Sequence, residues 1–212
     1  MSKIIIANEL YVSKHPGFLY DYLLIDASYA YKDFTNPYIS FTLPNLDCNS
    51  YVKQRLQNSS DSPIILGISY TDPYRRIDEF CKNLTSYNCV KGFTNFPSNS
   101  IFNGEFGTEI NNSHIGVDNE FHSFYNSMIF QQFSLAFVYT IEQAELYASV
   151  GVTAIAISSL RPNFWDSTNY LMLNPDLIDN LKHKYPNLLL FNIEYNGTIS
   201  SDYDNFNGTI YI

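Results

Sequence analysis

Two short stretches hold residue types that could do chemistry on a small acid. In Gly67-Ile68-Ser69-Tyr70-Thr71-Asp72-Pro73 an apolar run ends in a hydroxyl and a carboxylate. Asp72 can act as a general acid or base or bind a divalent metal. The Thr71 hydroxyl, with the N-terminus of a following helix, can hold an anion. The same residues also read as structure alone, because Asp72 before Pro73 is a natural N-cap with proline at the first helical position. In Thr94-Asn95-Phe96-Pro97-Ser98 a second run ends, and the Asn95 amide can donate to a developing oxyanion or enolate. Its structural alternative is a turn asparagine beside a buried Phe96. Two further run ends offer binding groups. Lys32 can neutralise a phosphate or carboxylate, or simply be solvated. Ser158, in Ser158-Ser159, can donate to a phosphate that small side chains let approach closely.

Other chemistries find no support. His114, Asp118, Glu120 and His122 are crowded, but they lack the two histidines at i, i+4 that a zinc-protease helix needs. They read as a solvated helix start. No G-x-S-x-G elbow, Walker loop or G-x-G-x-x-G occurs. The 3 cysteines, Cys48, Cys81 and Cys89, form no Cys-x-x-Cys pair and read as packed free thiols. With a net charge of −9, and Arg75-Arg76 followed at once by Asp78 and Glu79, the chain is not expected to bind nucleic acid. The 18 Tyr and 16 Phe fit a core, a rim or a homo-oligomeric surface. No apolar run reaches membrane-spanning length, and the opening MSKIIIANEL is too short an apolar run for a secretory signal. A cytoplasmic location is therefore expected.

The elements that must position these residues are legible as runs and stripes. Lys3–Ala7, Tyr22–Ala27, Pro63–Ser69, Cys89–Asn95, Ser134–Tyr139, Thr153–Ser158, Leu188–Glu194 and a weaker Gly208–Ile212 read as strands. Several are nearly continuous in apolar residues, as parallel strands covered on both faces are. Between them, Ile77, Phe80, Cys81 and Leu84 form a helical stripe, as do Phe121, Phe124, Tyr125 and Met128, with Ile129 extending the face. Thr140 is placed as an N-cap, Gly151 as a helix stop, and Asn174-Pro175 as a helix opening. Alternating strands and helices predict a single parallel α/β domain over residues 1–212, either a (β/α)8 TIM barrel or a doubly wound sheet. Lys14-His15-Pro16-Gly17 cuts short any helix after the first strand. Asn196-Gly197 and Ser200-Ser201-Asp202 leave little room for one after Glu194, so the barrel is expected to be shortened at its C-terminal end.

Three segments together, PIILGISYTDPYRRIDEF, VKGFTNFPSNSIFNGEF and FVYTIEQAELYASVGVTAIAISSL, resemble the phosphoenolpyruvate hydrolase-like TIM-barrel family, a predicted TIM-barrel signal-transduction group. The family's strand end G-V-x-x-T-D-P-F is similar to Gly67 through Tyr74, and its G-x-x-N-F-P-T-x-G-x-x-D-G-x-F to Gly92 through Phe106. Its P-Y-V-F strand and A-x-x-M-A-x-A-G-A-D passage are similar to Ala136 through Tyr139 and Ala144 through Thr153. LLIDASYAYKDF is similar in position to I-I-x-Y-N-S-G-R-Y-R, which matches Ser28 to the family's serine and Lys32 to a basic position. The resemblance covers most of residues 3–160. It implies a barrel related to the phosphoenolpyruvate mutase and aldolase barrels, with a small phospho- or keto-acid as ligand.

Under that resemblance Asp72 and Asn95 are the catalytic candidates for a C–C or C–P bond lyase or hydrolase. Ser28, Lys32, Thr71 and Ser158 would bind the acid. Mg²⁺ is a possible cofactor, although the sequence clusters few carboxylates for it. Three departures stand out. The family's glycine-rich G-A-G-x-G-T-G loop is replaced by Ala7-Asn8-Glu9-Leu10-Tyr11, its acidic E-E-T-G-M-G pair by Asn111-Asn112, and its late C-H-G-G-P by Phe191-Asn192-Ile193-Glu194-Tyr195. These losses support the alternative of a non-catalytic barrel, a pseudoenzyme binding a ligand or a protein partner. The family includes the barrel half of a plant antiviral inhibitor that works by binding.

Overall fold

Each continuous apolar run folds as a strand with a barrel interior on one face and helices on the other. A computed structural model describes residues 3–27, 47–58, 62–96, 98–102, 104–157, 175–195, 198–199 and 206–212. The strands are β1 Ile4–Asn8, β2 Tyr22–Ile25, β3 Ile64–Gly67, β4 Val90–Thr94, β5 Phe133–Val138, β6 Ala154–Ile157, β7 Leu189–Tyr195, β8 Thr198–Ile199 and β9 Gly208–Tyr211. β1 through β7 pair in sequence order, all parallel, and β9 enters between β7 and β1. Ile210 of β9 lies in register with Ile193 on one side and Ile6 on the other, which closes the barrel. This is the expected (β/α)8 barrel, and the closure excludes an open doubly wound sheet. The short β8 pairs antiparallel to β7 alone.

Alternation along the strands sorts the side chains into two cores. Ile6, Leu24, Ile65, Leu135, Phe191 and Ile210 fill the barrel. Leu23, Ile25, Leu66, Phe93, Val138 and Ile155 face outward and pack with helical residues such as Val52, Cys81, Phe124 and Ile178. At Gly92 a side chain has no room, since an added Cβ would lie 1.8 Å from the Phe133 carbonyl oxygen.

The helices are α1 Glu9–Lys14, α2 Cys48–Gln57, α3 Ile77–Leu84, α4 Gly104–Asn112, α5 Val117–Ser127, α6 Ile141–Ser149 and α7 Pro175–Lys184. α1 is a stub that stops before Pro16. α6 opens on a full capping box, Thr140 with Gln143, and Gly151 follows it at φ 82°. Among the described residues no helix separates β7 from β9, so that unit is pared down as expected.

Two local expectations fail. α3 begins at Ile77 with Arg76 as N-cap, not at Pro73. Asp72 instead accepts from the Tyr74 N–H and closes a turn, which spends the capping carboxylate before the helix starts. Ile129 does not extend the apolar face of α5. It lies in the following 3₁₀ turn, Met128–Phe130, and is 81% exposed because the tighter turn rotates it off the core stripe. No helix among the described residues is long and apolar enough to cross a membrane.

Candidate functional site

The C-terminal ends of β3 and β4 carry the two strand-end motifs, and each end is sealed by an asparagine. Beyond β3, Asn49 of α2 accepts from the Ser69 N–H at 3.0 Å and donates to the Ser69 carbonyl at 3.0 Å. The same amide nitrogen donates to Asp72 Oδ2 at 3.0 Å. Arg75 donates to that oxygen at 2.6 Å, and the Tyr74 N–H donates to Oδ1 at 2.9 Å. Arg75 reaches on to Asp47 and to Ser50 Oγ. Its hydrogen bond to Asp47, supported by that to Asp72, holds the guanidinium above its usual pKa. Asp72 thus stands at the rim with both oxygens engaged.

Beyond β4, Asn95 shares the parity of Phe93 and faces the helix layer, not the barrel axis. Its Oδ1 accepts from the Phe137 N–H at 2.7 Å, and its Nδ2 donates to the Phe137 carbonyl at 3.1 Å and to Glu120 Oε1 at 2.7 Å. Glu120, on the inner face of α5, is 2% exposed, which overturns its reading as part of a solvated helix start. It also accepts from Ser98 Oγ at 2.5 Å and from the Asn99 N–H at 2.7 Å. Burial pushes its carboxyl up to about 7, against the pull of those donors.

Asn99, which the sequence did not single out, joins the two strand ends. Its amide donates to Thr71 Oγ1 at 2.9 Å and to the Ile115 carbonyl at 2.7 Å. Asn99 also borders a cavity of about 200 Å³ lined by Phe102, Gly104, Thr108 and Gly116 among others. Glu120 precedes Phe124 by four residues and Ser127 by seven, and all three are buried on one face of α5.

The barrel axis at this end is stoppered by aromatic rings, with Phe96 and Phe137 centroids 4.4 Å apart. At the end of β1, where the family has its glycine loop, Asn8 caps α1 by accepting from the Tyr11 N–H at 2.8 Å. Thr71, Asp72 and Asn95 are therefore gathered at one face, linked through Asn99 and Glu120. Ser28, Lys32 and Ser158 lie outside the described residues. A divalent metal such as Mg²⁺ wants several free oxygen donors. Among the described residues no three His, Cys, Asp or Glu side chains cluster, and Asp72 is taken up by Arg75, Asn49 and Tyr74. The described donor set does not fit the metal.

A family model described as phosphoenolpyruvate hydrolase-like matches residues 17–160. Among solved structures, the chain is similar in fold to a 2,3-dimethylmalate lyase, a PEP mutase/isocitrate lyase superfamily member. The match has a TM-score of 0.54 at 9% identity and covers 99% of this chain and 75% of that one. No curated protein matches in sequence.

Proposed function

The chain belongs to the phosphoenolpyruvate hydrolase-like family, and on that premise we propose that it binds a small phospho- or keto-acid at the C-terminal face of its barrel without turning it over. The observation that carries this reading is the commitment of both catalytic candidates. Asp72 is held by Arg75, Asn49 and the Tyr74 N–H, and the Asn95 amide is spent on Phe137 and Glu120. On this reading Asp72, Asn95 and Thr71 are positioning residues, and Ser28, Lys32 and Ser158 hold the anionic group.

A second reading, cleavage of a C–C or C–P bond in the same acid, draws on Glu120. A carboxyl titrating at about 7 beside Ser98 and Asn95 has the proton affinity that general acid–base work near neutral pH requires. The deep burial of Glu120 favours the first reading.

One experiment separates them. Purified protein is screened by thermal shift against phosphoenolpyruvate, phosphonopyruvate and oxaloacetate, with and without Mg²⁺, and each hit is assayed for product. Binding without product, lost in Lys32→Ala, is the expected outcome. Product formation abolished by Glu120→Gln would establish the second reading. No shift with any acid would overturn both.

A further inference from the structure

Two polar side chains inside the barrel have no work in the network at β3 and β4. Asn8 ends β1 with the inward parity of Ile6, and Thr94 ends β4 with the inward parity of Phe96. Both are 0% exposed. The Asn8 Oδ1 caps α1, but its Nδ2 is buried and meets no acceptor among the described residues. The Thr94 Oγ1 is likewise buried and unpartnered. Its neighbours in register are Gly67, which has no side chain, and the apolar Leu135.

The two groups stand at nearly one height. The register from Asn8 runs through Leu24 and Ile65 to Gly92, two residues before Thr94 on β4. A closed barrel of this kind staggers by about one residue per strand. Over the three steps from β1 to β4 that stagger brings Thr94 to about the level of Asn8, and side chains pointing inward from both strands converge on the axis. This is the C-terminal end of the barrel, where ligands bind in this architecture. Phe96 follows Thr94 on the same face and closes over it, packed on Phe137 at 4.4 Å.

A buried donor without an acceptor is costly, so a fold that keeps two at its ligand-binding end calls for an acceptor. Neither donor is charged. A carboxylate or phosphate at this depth would find no cation here, and the Cβ of the buried Asp26 lies 2.7 Å from where a Gly67 Cβ would stand, which sets another acid group beside it. A neutral carbonyl oxygen, which takes two hydrogen bonds, fits better. We propose that Asn8 Nδ2 and Thr94 Oγ1 donate to the keto oxygen of a keto-acid, which enters by turning the Phe96 ring aside. The acid group stays outside, at the mouth. Phosphoenolpyruvate carries its phosphoryl group on the corresponding oxygen and is excluded. This inference rests on the reading of the C-terminal face as an acid site and narrows that site to keto-acids.

The test titrates the full chain with oxaloacetate, with succinate, which differs in having a methylene for the carbonyl, and with phosphoenolpyruvate. Calorimetry should show oxaloacetate binding at least several-fold more tightly than either. Thr94→Val should lose the preference over succinate, while its melting temperature without ligand stays level or rises, because a methyl group replaces a hydroxyl with no partner. Asn8→Ser, which keeps a capping oxygen for the Tyr11 N–H but withdraws the amide, should weaken the preference as well. Equal affinity for oxaloacetate and succinate, or a preference that survives in either variant, overturns the proposal. So does a lower melting temperature of ligand-free Thr94→Val, which would give the hydroxyl a structural bond. Binding of phosphoenolpyruvate without oxaloacetate overturns this inference and leaves the acid-site reading standing, whereas no binding of any acid overturns both.

Discussion

The side chain of Asn95 pairs with Phe137 as though it were one more backbone residue, accepting from its N–H at 2.7 Å and donating to its carbonyl at 3.1 Å. The β4–β5 ladder stops at Thr94 opposite Leu135, and the Asn95 amide carries the pairing one step further. Asn49 does the same for Ser69 at the end of β3. Each asparagine then uses its spare N–H on a carboxylate, Glu120 in one case and Asp72 in the other. Removing the Asn95 amide strands a buried N–H, a buried carbonyl and a carboxylate. Asn95→Ala should therefore cost about 2–4 kcal/mol. Urea unfolding should show a lower midpoint at unchanged slope. A loss under about 1 kcal/mol would mean that water replaces the amide without penalty.

Glu120 makes stability depend on pH. Its folded pKa of about 7 lies above the ordinary 4.5. The folded state therefore holds the proton more tightly than the unfolded chain. The stabilising contribution is full below pH 4.5, falls as pH rises toward 7, and is gone above it. Over that window the loss is about 3 kcal/mol in order of magnitude. Urea midpoints from pH 5 to 8 should decline more steeply for the wild type than for Glu120→Gln, which has no proton to lose. Parallel curves would assign the decline to other groups.

The strands were legible because both faces of a closed parallel barrel are buried, and Ile64 through Gly67 or Ala154 through Ile157 record that as unbroken apolar runs. The α6 cap was legible because Thr140 and Gln143 carry it locally. Glu120 was not, because a carboxylate between Asp118 and His122 looks solvated unless one knows that Asn95 and Ser98, more than twenty residues away, donate to it. The facing of Asn95 was recoverable. Strand parity puts it with Phe93, opposite Thr94 and Phe96, and that alone turns it from the barrel axis toward the helices. The start of α3 was missed because the Asp72 carboxylate has competing uses. Arg75, Asn49 and the Tyr74 N–H claim it, and nothing in the local sequence ranks them.

Asp72 and Arg76 offer a matched contrast between a rim ion pair with a structural job and one without. Asp72 is largely shielded and ties Arg75 to Asn49, whereas Arg76 is 71% exposed and meets Asp78 and Glu79 in solvent. Asp72→Ala should cost about 1–3 kcal/mol, since Asn49 and the Tyr74 N–H lose their acceptor. Arg76→Ala should stay within about 0.5 kcal/mol. Equal effects in chemical denaturation would show that the Asp72 network is as loose as the surface pair.

Gly92 couples the fold to the site. It sits opposite Phe133 in the β4–β5 register, and a methyl group there would meet the Phe133 carbonyl oxygen at 1.8 Å and its carbonyl carbon at 2.7 Å. Backbone cannot step aside as a flexible side chain can, so β4 and β5 must part. Parting them also pulls Asn95 away from Phe137, three residues further along the same strand. Gly92→Ala should therefore cost at least about 3 kcal/mol, the upper end of ordinary overpacking. Gly17→Ala is the control. Its φ of +87° penalises a side chain by about 1 kcal/mol, but nothing lies within 4 Å of the added methyl. Hydrogen exchange would localise the difference. In Gly92→Ala the Phe137 amide, held by Asn95, should lose protection along with the β4–β5 ladder, whereas Gly17→Ala should leave it intact. Retained protection at Phe137 in Gly92→Ala would show that Asn95 grips β5 independently of the strand that carries it.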